Sequence, residues 1–153
     1  MSYFLVKEVK MNIKIKRIKN GILPQYETEG SSGADCFARI DEVIRLLPNE
    51  RETIPLGFAV EIPKGYELQI RGRSGLAKRE GLLVFEGTID SDYRGEVSVI
   101  LINTSNEVIE IHPDYRIAQA IISPVIKANW NEVESLSETE RGIGGFGSTG
   151  LTK

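Results

Sequence analysis

Glu96-Val97-Ser98-Val99-Ile100-Leu101-Ile102 is the stretch on which the fold turns. It is rich in β-branched residues and nearly all apolar, which predicts a central strand buried on both faces. Downstream, Val108-Ile109-Glu110-Ile111 and the run from Arg116 to Ile126 predict two more strands, separated by the turn His112-Pro113-Asp114. Upstream, Gly57-Phe58-Ala59-Val60-Glu61-Ile62 and Tyr66-Glu67-Leu68-Gln69-Ile70 flank Pro63-Lys64-Gly65 and predict a hairpin. Near the start, Asn12-Ile13-Lys14-Ile15-Lys16 alternates with period two, as a half-buried strand does. Turn signals recur about every eight to twelve residues, a spacing that suggests an all-β sandwich, jelly roll or barrel. One helix interrupts the strands. Ser74-Gly75-Leu76-Ala77-Lys78-Arg79-Glu80-Gly81 begins on an N-cap residue and ends on a glycine stop, with room for two turns at most.

At 153 residues the chain is one domain with one core. A net charge of −3 argues against a broad basic footprint for polymeric nucleic acid, though not against a small phosphate site built by a few arginines. No apolar run approaches the ~18 residues of a membrane span. Tyr3-Phe4-Leu5-Val6, followed by Lys7 and Lys10, is too short for a signal-peptide core, so the expected location is cytoplasmic. The single cysteine, Cys36, excludes an internal disulfide framework, and the single histidine, His112, excludes clustered His/Cys metal sites. A Ser-His-Asp or Cys-His hydrolase would have to run through His112, which sits in a His-Pro turn. Catalysis is therefore expected from carboxylates, arginines or a metal brought by the substrate. Cys36 reads as a small buried hydrophobe and His112 as a turn residue.

The chain divides into an extension at residues 1–11, a β-rich domain at residues 12–130 and an arm at residues 131–153. Asn131 to Glu140 is acidic and Ser-rich. The stretch Arg141-Gly142-Ile143-Gly144-Gly145-Phe146-Gly147-Ser148-Thr149-Gly150 holds five of the fifteen glycines. It has too little apolar surface to hold itself in place, so it is expected to be mobile alone.

Four clusters have chemistry to offer. Arg71-Gly72-Arg73-Ser74-Gly75-Leu76-Ala77 follows a strand and opens the helix; it reads equally as a phosphate cradle or as a capped helix with solvated arginines. Gly87-Thr88-Ile89-Asp90-Ser91-Asp92-Tyr93-Arg94-Gly95 reads first as hairpin punctuation, and second as a carboxylate held rigidly enough to take a proton from water. Tyr93 there is either an apolar platform or a half-buried strand aromatic. In Arg116-Ile117-Ala118-Gln119-Ala120, strict alternation puts Arg116 with the alanines and Gln119 with the isoleucines. Read alone, that favours a structural amide needing a partner and a cross-strand ion pair for Arg116. In the arm, Arg141, Phe146, Ser148 and Thr149 are spaced by glycines that permit close approach to a ligand. An arginine there pairs with phosphate and an aromatic stacks on a planar base. The P-loop pattern is absent.

Together these clusters resemble the five motifs, in order, of the trimeric deoxyuridine triphosphate nucleotidohydrolases. Ser32-Gly33-Ala34-Asp35-Cys36-Phe37-Ala38 is similar to the first and Arg73-Ser74-Gly75-Leu76-Ala77 to the second. Gly87 to Gly95 is similar to the third, Arg116-Ile117-Ala118-Gln119 to the fourth, and Arg141 to Gly150 to the fifth. The likeness spans about residues 12–150. It implies an all-β distorted jelly roll of the β-clip barrel type, with one short helix and a flexible C-terminal arm. Asp90 would be the general base that activates water. Tyr93 would pack on the deoxyribose and leave no room for a 2′-hydroxyl. Backbone groups of Gly87, Thr88 and Ile89 would read the uracil edge. Arg73, Ser74 and Gly75 would hold phosphates, with Gln119 nearby. Arg141, Ser148 and Thr149 would clamp the terminal phosphate, Phe146 would stack over uracil, and Gly147 between them would also bind substrate. Asp35 and Arg116 would organise these groups from behind.

The resemblance further implies a homotrimer with sites between subunits, and Mg²⁺ carried on the substrate phosphates and water rather than in a protein cage. Two departures stand out. Val84-Phe85-Glu86 replaces a segment that often holds asparagine and proline, so any uracil contact from that asparagine passes to backbone or is lost. Ser32 replaces a usual alanine. Two rivals remain on the same scaffold: a deoxycytidine triphosphate deaminase, and a non-catalytic nucleotide sensor or protein-binding relative. Gly75 and the Asp90–Tyr93 pair favour the hydrolase over the deaminase.

Overall fold

The structure is a computed structural model and describes residues 10–145. Its elements run β1 (Lys14–Arg17), β2 (Ala34–Phe37), β3 (Ile44–Leu46), β4 (Arg51–Pro55), β5 (Phe58–Glu61) and β6 (Tyr66–Arg71), then α1 (Ser74–Glu80). They continue with β7 (Leu82–Phe85), β8 (Gly87–Ile89), β9 (Ser98–Asn103), β10 (Ile109–Ile111) and β11 (Arg116–Pro124). The all-β expectation with one short helix holds. The strands form four antiparallel sheets among the described residues, ordered β2-β11-β6-β8, β4-β9-β7, β1-β5 and β10-β3, and none closes into a barrel. No helix among the described residues is long and apolar enough to cross a membrane.

The core lies between these sheets. Phe58, Leu46, Ile54, Leu56, Ile70, Leu101, Ile111 and Ile117 are almost wholly buried. Each such side chain stabilises the fold by roughly 1.5–3 kcal/mol relative to exposure.

β9 is central in its sheet, but it is not buried on both faces. Val99 and Leu101 point inward while Ser98 and Ile100 are exposed. Its outer apolar residues are not core: Ile100 pairs with Phe85 and Ile102 with Leu83, and this face is left open on the single chain.

The hairpin expected across residues 57–70 does not form. Both strands exist, but β5 pairs with β1 whereas β6 pairs with β11 and β8. The turn itself is real: Gly65 has φ +87°, Tyr66 N–H donates to the Pro63 carbonyl at 3.2 Å, and Val125 N–H donates to the Gly65 carbonyl at 2.8 Å. A turn signal reports a reversal of the chain, not which strand receives it.

Helix α1 also starts differently. Its N-cap is Arg73, extended at φ −99° and ψ 122°, and makes no side-chain cap. Ser74 is the first helical residue, so its hydroxyl is exposed rather than spent on capping. Gly81 ends the helix at φ 67°, the left-handed stop expected there.

Cys36 is fully buried, as expected. Desolvation, followed by the negative charge of Asp35, pushes its thiol up to about 12. We expect Ellman's reagent to leave Cys36 unlabelled in the native chain at pH 8 and to label it on unfolding. The stabilisation is whole below the ordinary thiol value of 9.0 and is lost as pH rises toward about 12, because only the unfolded chain ionises in that window.

Candidate active site

Asp35 sits mid-strand in β2, its side chain only 11% exposed, between two guanidinium groups. Arg73 Nε lies 3.2 Å from Oδ1 and Arg116 Nε 3.6 Å from Oδ2. The second distance is an ion pair too long for a hydrogen bond, and Oδ2 accepts none among the described residues. Arg73 Nη1 also donates to the Arg116 carbonyl at 3.0 Å, and Arg116 Nη2 meets Glu27 Oε1 at 2.9 Å.

Strict alternation would have kept Arg116 and Gln119 on opposite faces. The ladder between β11 and β2 slips between Arg116 and Ala118, so Arg116 pairs with Phe37 while Gln119 pairs with Asp35. Phe37 and Asp35 share a face of β2. The irregularity therefore turns Arg116 onto the side of Gln119 and Asp35, and aims it where alternation would not. Gln119 finds the partner its position demands: Nε2 donates to the Gly72 carbonyl at 2.8 Å. Gly33 closes the cluster, since a Cβ there would collide with the Gln119 amide oxygen. Asp35, Arg73, Arg116 and Gln119 thus form one cluster, with Ser74 and Gly75 exposed beside it at the start of α1.

Asp90 stands elsewhere. It follows β8, the edge strand of the four-stranded sheet, and is exposed. The loop after it closes on itself. Tyr93 N–H donates to the Asp90 carbonyl at 3.1 Å, and Arg94 Nη1 donates to the carbonyls of Ser91 at 2.8 Å and Tyr93 at 3.0 Å. The Tyr93 hydroxyl donates to the Glu96 carbonyl at 3.2 Å. Its ring lies over Gly95 in the space a Cβ there would take, so the glycine leaves room for the ring to sit where it does. Tyr93 is therefore a half-exposed loop aromatic rather than a strand residue. Among the described residues, Gly87, Thr88 and Ile89 pair on one side only, with Ile70, Gln69 and Leu68. Their opposite backbone edge can offer hydrogen bonds to a ligand. A groove of about 360 Å³ runs along Gln69, Arg71, Glu86, Gly87 and Thr88.

Register separates the two halves. Gln119 pairs with Arg71, whereas Ile89 pairs with Leu68, so Asp90 projects toward the Glu67 end of β6. Four residues along a strand are about 13 Å. One chain does not bring Asp90 to the Asp35–Arg73–Gln119 cluster.

The described part of the arm, residues 131–145, does not bridge them either. Arg141 is exposed, and its Nε donates to the Gly144 carbonyl at 2.8 Å. Residues 131–143 are exposed throughout. Phe146, Gly147, Ser148 and Thr149 lie outside the described residues. One feature escaped sequence reasoning: the pair between Arg39 and Glu96, 57 residues apart, which no local pattern announces.

A dUTPase family profile matches residues 19–150. The chain is 56% identical over 135 residues to a deoxyuridine 5′-triphosphate nucleotidohydrolase of Chlamydia pneumoniae, covering 86% of this chain and 93% of that one. It is 51% identical over 145 residues to the enzyme of that name from Bdellovibrio bacteriovorus, covering 92% and 97%. Among solved structures, the dUTPase of Staphylococcus bacteriophage 80alpha with dUpNHpp superposes with a TM-score of 0.83 at 27% identity, covering 93% of this chain and all of that one. That neighbour belongs to a family of jelly-roll proteins, the fold class this chain shares. Profile, relatives and superposition agree over nearly the whole length, and the chain belongs to the dUTPase family.

Proposed function

We propose that this chain hydrolyses dUTP to dUMP and pyrophosphate, limiting uracil entry into DNA and supplying dUMP for thymidylate synthesis. The observation that carries the reading is the Asp90–Tyr93 loop: an exposed carboxylate beside an aromatic ring seated over Gly95 and tied by its hydroxyl to the Glu96 carbonyl. The outer edge of Gly87–Ile89 reads uracil, and the Tyr93 ring packs on the deoxyribose and excludes a ribose. Arg73, Ser74, Gly75 and Gln119 hold the phosphates, with Asp35 and Arg116 fixing Arg73 and Gln119 from behind. Asp90 takes a proton from a water whose oxygen attacks the α-phosphorus. The bond from that phosphorus to the bridging oxygen breaks, and pyrophosphate leaves. Positioning and charge neutralisation carry most of such a reaction.

Among the described residues no group of three or more His, Cys, Asp or Glu side chains gathers as a metal cage. Mg²⁺ would be carried chiefly by the triphosphate and water. When bound, the ion neutralises phosphate charge and orders the phosphate chain. The arm, residues 131–153, supplies Arg141, Gly147, Ser148 and Thr149 to the terminal phosphate and Phe146 to the base. Residues 1–11 precede the catalytic domain at 12–130. The compartment we assign is the cytoplasm.

The working unit is a homotrimer with sites between subunits. Two observations support it: the separation of Asp90 from the phosphate cluster, and the open apolar face of Leu83, Phe85, Ile100 and Ile102. Phe85 is 64% exposed, a large side chain to leave in water. Phe85→Asp is expected to convert a particle of three chains into one by light scattering and to abolish turnover. A wild-type monomer with full activity would contradict the assembly.

The functional test is pyrophosphate release with Mg²⁺ across the triphosphates of deoxyuridine, uridine, thymidine and deoxycytidine. Release from the deoxyuridine nucleotide alone is expected; ammonia release from deoxycytidine triphosphate would favour a deaminase instead.

A further inference from the structure

Glu96 directly follows the loop that carries Asp90 and Tyr93, and its side chain ties that loop to a distant part of the chain. The carboxylate accepts two hydrogen bonds from Arg39, Nε to Oε1 at 2.8 Å and Nη2 to Oε2 at 3.3 Å. The side chains are 17% and 25% exposed, so solvent and salt screen this pair less than a surface one. Glu96 Oε1 also accepts the Gly57 N–H at 3.1 Å. Gly57 is itself pinned: it has φ +76°, its carbonyl accepts Ile18 N–H at 2.9 Å, the Gly21 Cα stands where its Cβ would go, and the Arg39 side chain packs alongside at 3.2 Å. Beside Glu96, Val97 N–H donates to the Phe58 carbonyl at 2.8 Å and Leu56 N–H to the Val97 carbonyl at 2.9 Å. Side chain and neighbouring backbone thus fix where the Glu96 carbonyl stands, and that carbonyl receives the Tyr93 hydroxyl.

We propose that Arg39 and Glu96 are positioning residues that set the Tyr93 ring, and through the Tyr93–Asp90 backbone bond the Asp90 carboxylate, so that this remote ion pair governs discrimination between deoxyribose and ribose. The inference rests on the dUTP reading above and deepens it. Neither residue is placed against the nucleotide. Their effect runs through a hydroxyl–carbonyl bond and a ring whose placement decides whether a 2′-hydroxyl fits.

The experiment measures kcat and KM for dUTP and UTP, with melting temperature, for wild type, Arg39→Ala, Glu96→Ala, the double variant and Glu96→Gln. Misplacement of a reacting group by about 1 Å costs up to roughly 100-fold. Glu96→Ala is accordingly expected to lower kcat on dUTP by roughly 10- to 100-fold, with KM changing less. The dUTP-to-UTP ratio of kcat/KM is expected to narrow by about tenfold, the larger part of a misplaced contact. Arg39→Ala should do likewise, and the double variant should be no worse than the more damaged single one, since the residues act as a unit. Glu96→Gln keeps one acceptor oxygen for Gly57 N–H and Arg39 Nε but loses the Arg39 Nη2 bond and the charge, so its ratio should fall between those of wild type and Glu96→Ala. If the alanine variants fail to fold, Arg39→Lys carries the test, because it loses the two-pronged geometry and should narrow the ratio by about threefold.

Folded variants with the wild-type nucleotide ratio overturn the proposal, as does a kcat that falls only in proportion to lost folded protein. Wild-type protein without dUTP turnover overturns the functional reading and this inference with it. Normal wild-type turnover with unchanged variant ratios overturns the inference alone.

Discussion

Asp90→Asn is expected to lower dUTP turnover by about 10²–10⁴-fold, the range a general base contributes. Nucleotide affinity should stay within a few-fold of wild type. The side chain is exposed at the end of an edge strand and the loop is closed by main-chain bonds, so an amide of the same shape should disturb neither fold nor loop. What changes is basicity, because the amide cannot accept the water's proton. Single-turnover measurements with Mg²⁺ and titration with a nonhydrolysable analogue separate the two effects. Wild-type turnover in this variant would remove Asp90 from the chemistry. Weak binding with normal chemistry would make it a substrate contact instead.

Deleting residues 141–153 is expected to cut kcat/KM by about 10²–10³-fold while leaving the melting temperature unchanged, because positioning and water exclusion are lost together. The described part of the arm is consistent with that split. Residues 131–143 are exposed, and the hydrogen bonds recorded around Arg141 stay within residues 139–144. Little of the core depends on them. The removed piece carries Arg141 and the glycine-spaced Phe146, Ser148 and Thr149, whose chemistry suits a phosphate chain and a base. Thermal melts and steady-state kinetics on the shortened chain check both halves. Undiminished kcat/KM would leave the arm without a role in the reaction.

Local chemistry was well written in the sequence, and partners were not. The glycine stop at Gly81, the turn at Pro63–Gly65 and the burial of Cys36 follow from residue type alone, and each is present. The destination of β5 and β6 depends on which strands compete for their edges, and β1, β11 and β8 won. Periodicity failed at two instructive places. In β9 a nearly all-apolar run suggested two buried faces, yet Ile100 faces outward on the chain alone. In β11 the slip between Arg116 and Ala118 broke the alternation that had set Arg116 and Gln119 apart. Asp35 gains most from the fold: as a letter it is one residue of a motif, while in three dimensions Arg73 at the N-cap of α1 and Arg116 at the start of β11 converge on it. The 57-residue separation of Arg39 from Glu96 lies beyond any local pattern.

The central claim is that Asp90 aims a water at the innermost phosphate of a nucleotide whose phosphates are held by Arg73 and Gln119 of another copy. A crystal structure of the assembled protein with Mg²⁺ and a nonhydrolysable dUTP analogue tests it directly. The account predicts a water within hydrogen-bond reach of the Asp90 carboxylate, in line with the α-phosphorus and its leaving oxygen, with Arg73 and Gln119 of a neighbouring subunit on the phosphates. An Asp90 remote from that phosphorus in every subunit would contradict it.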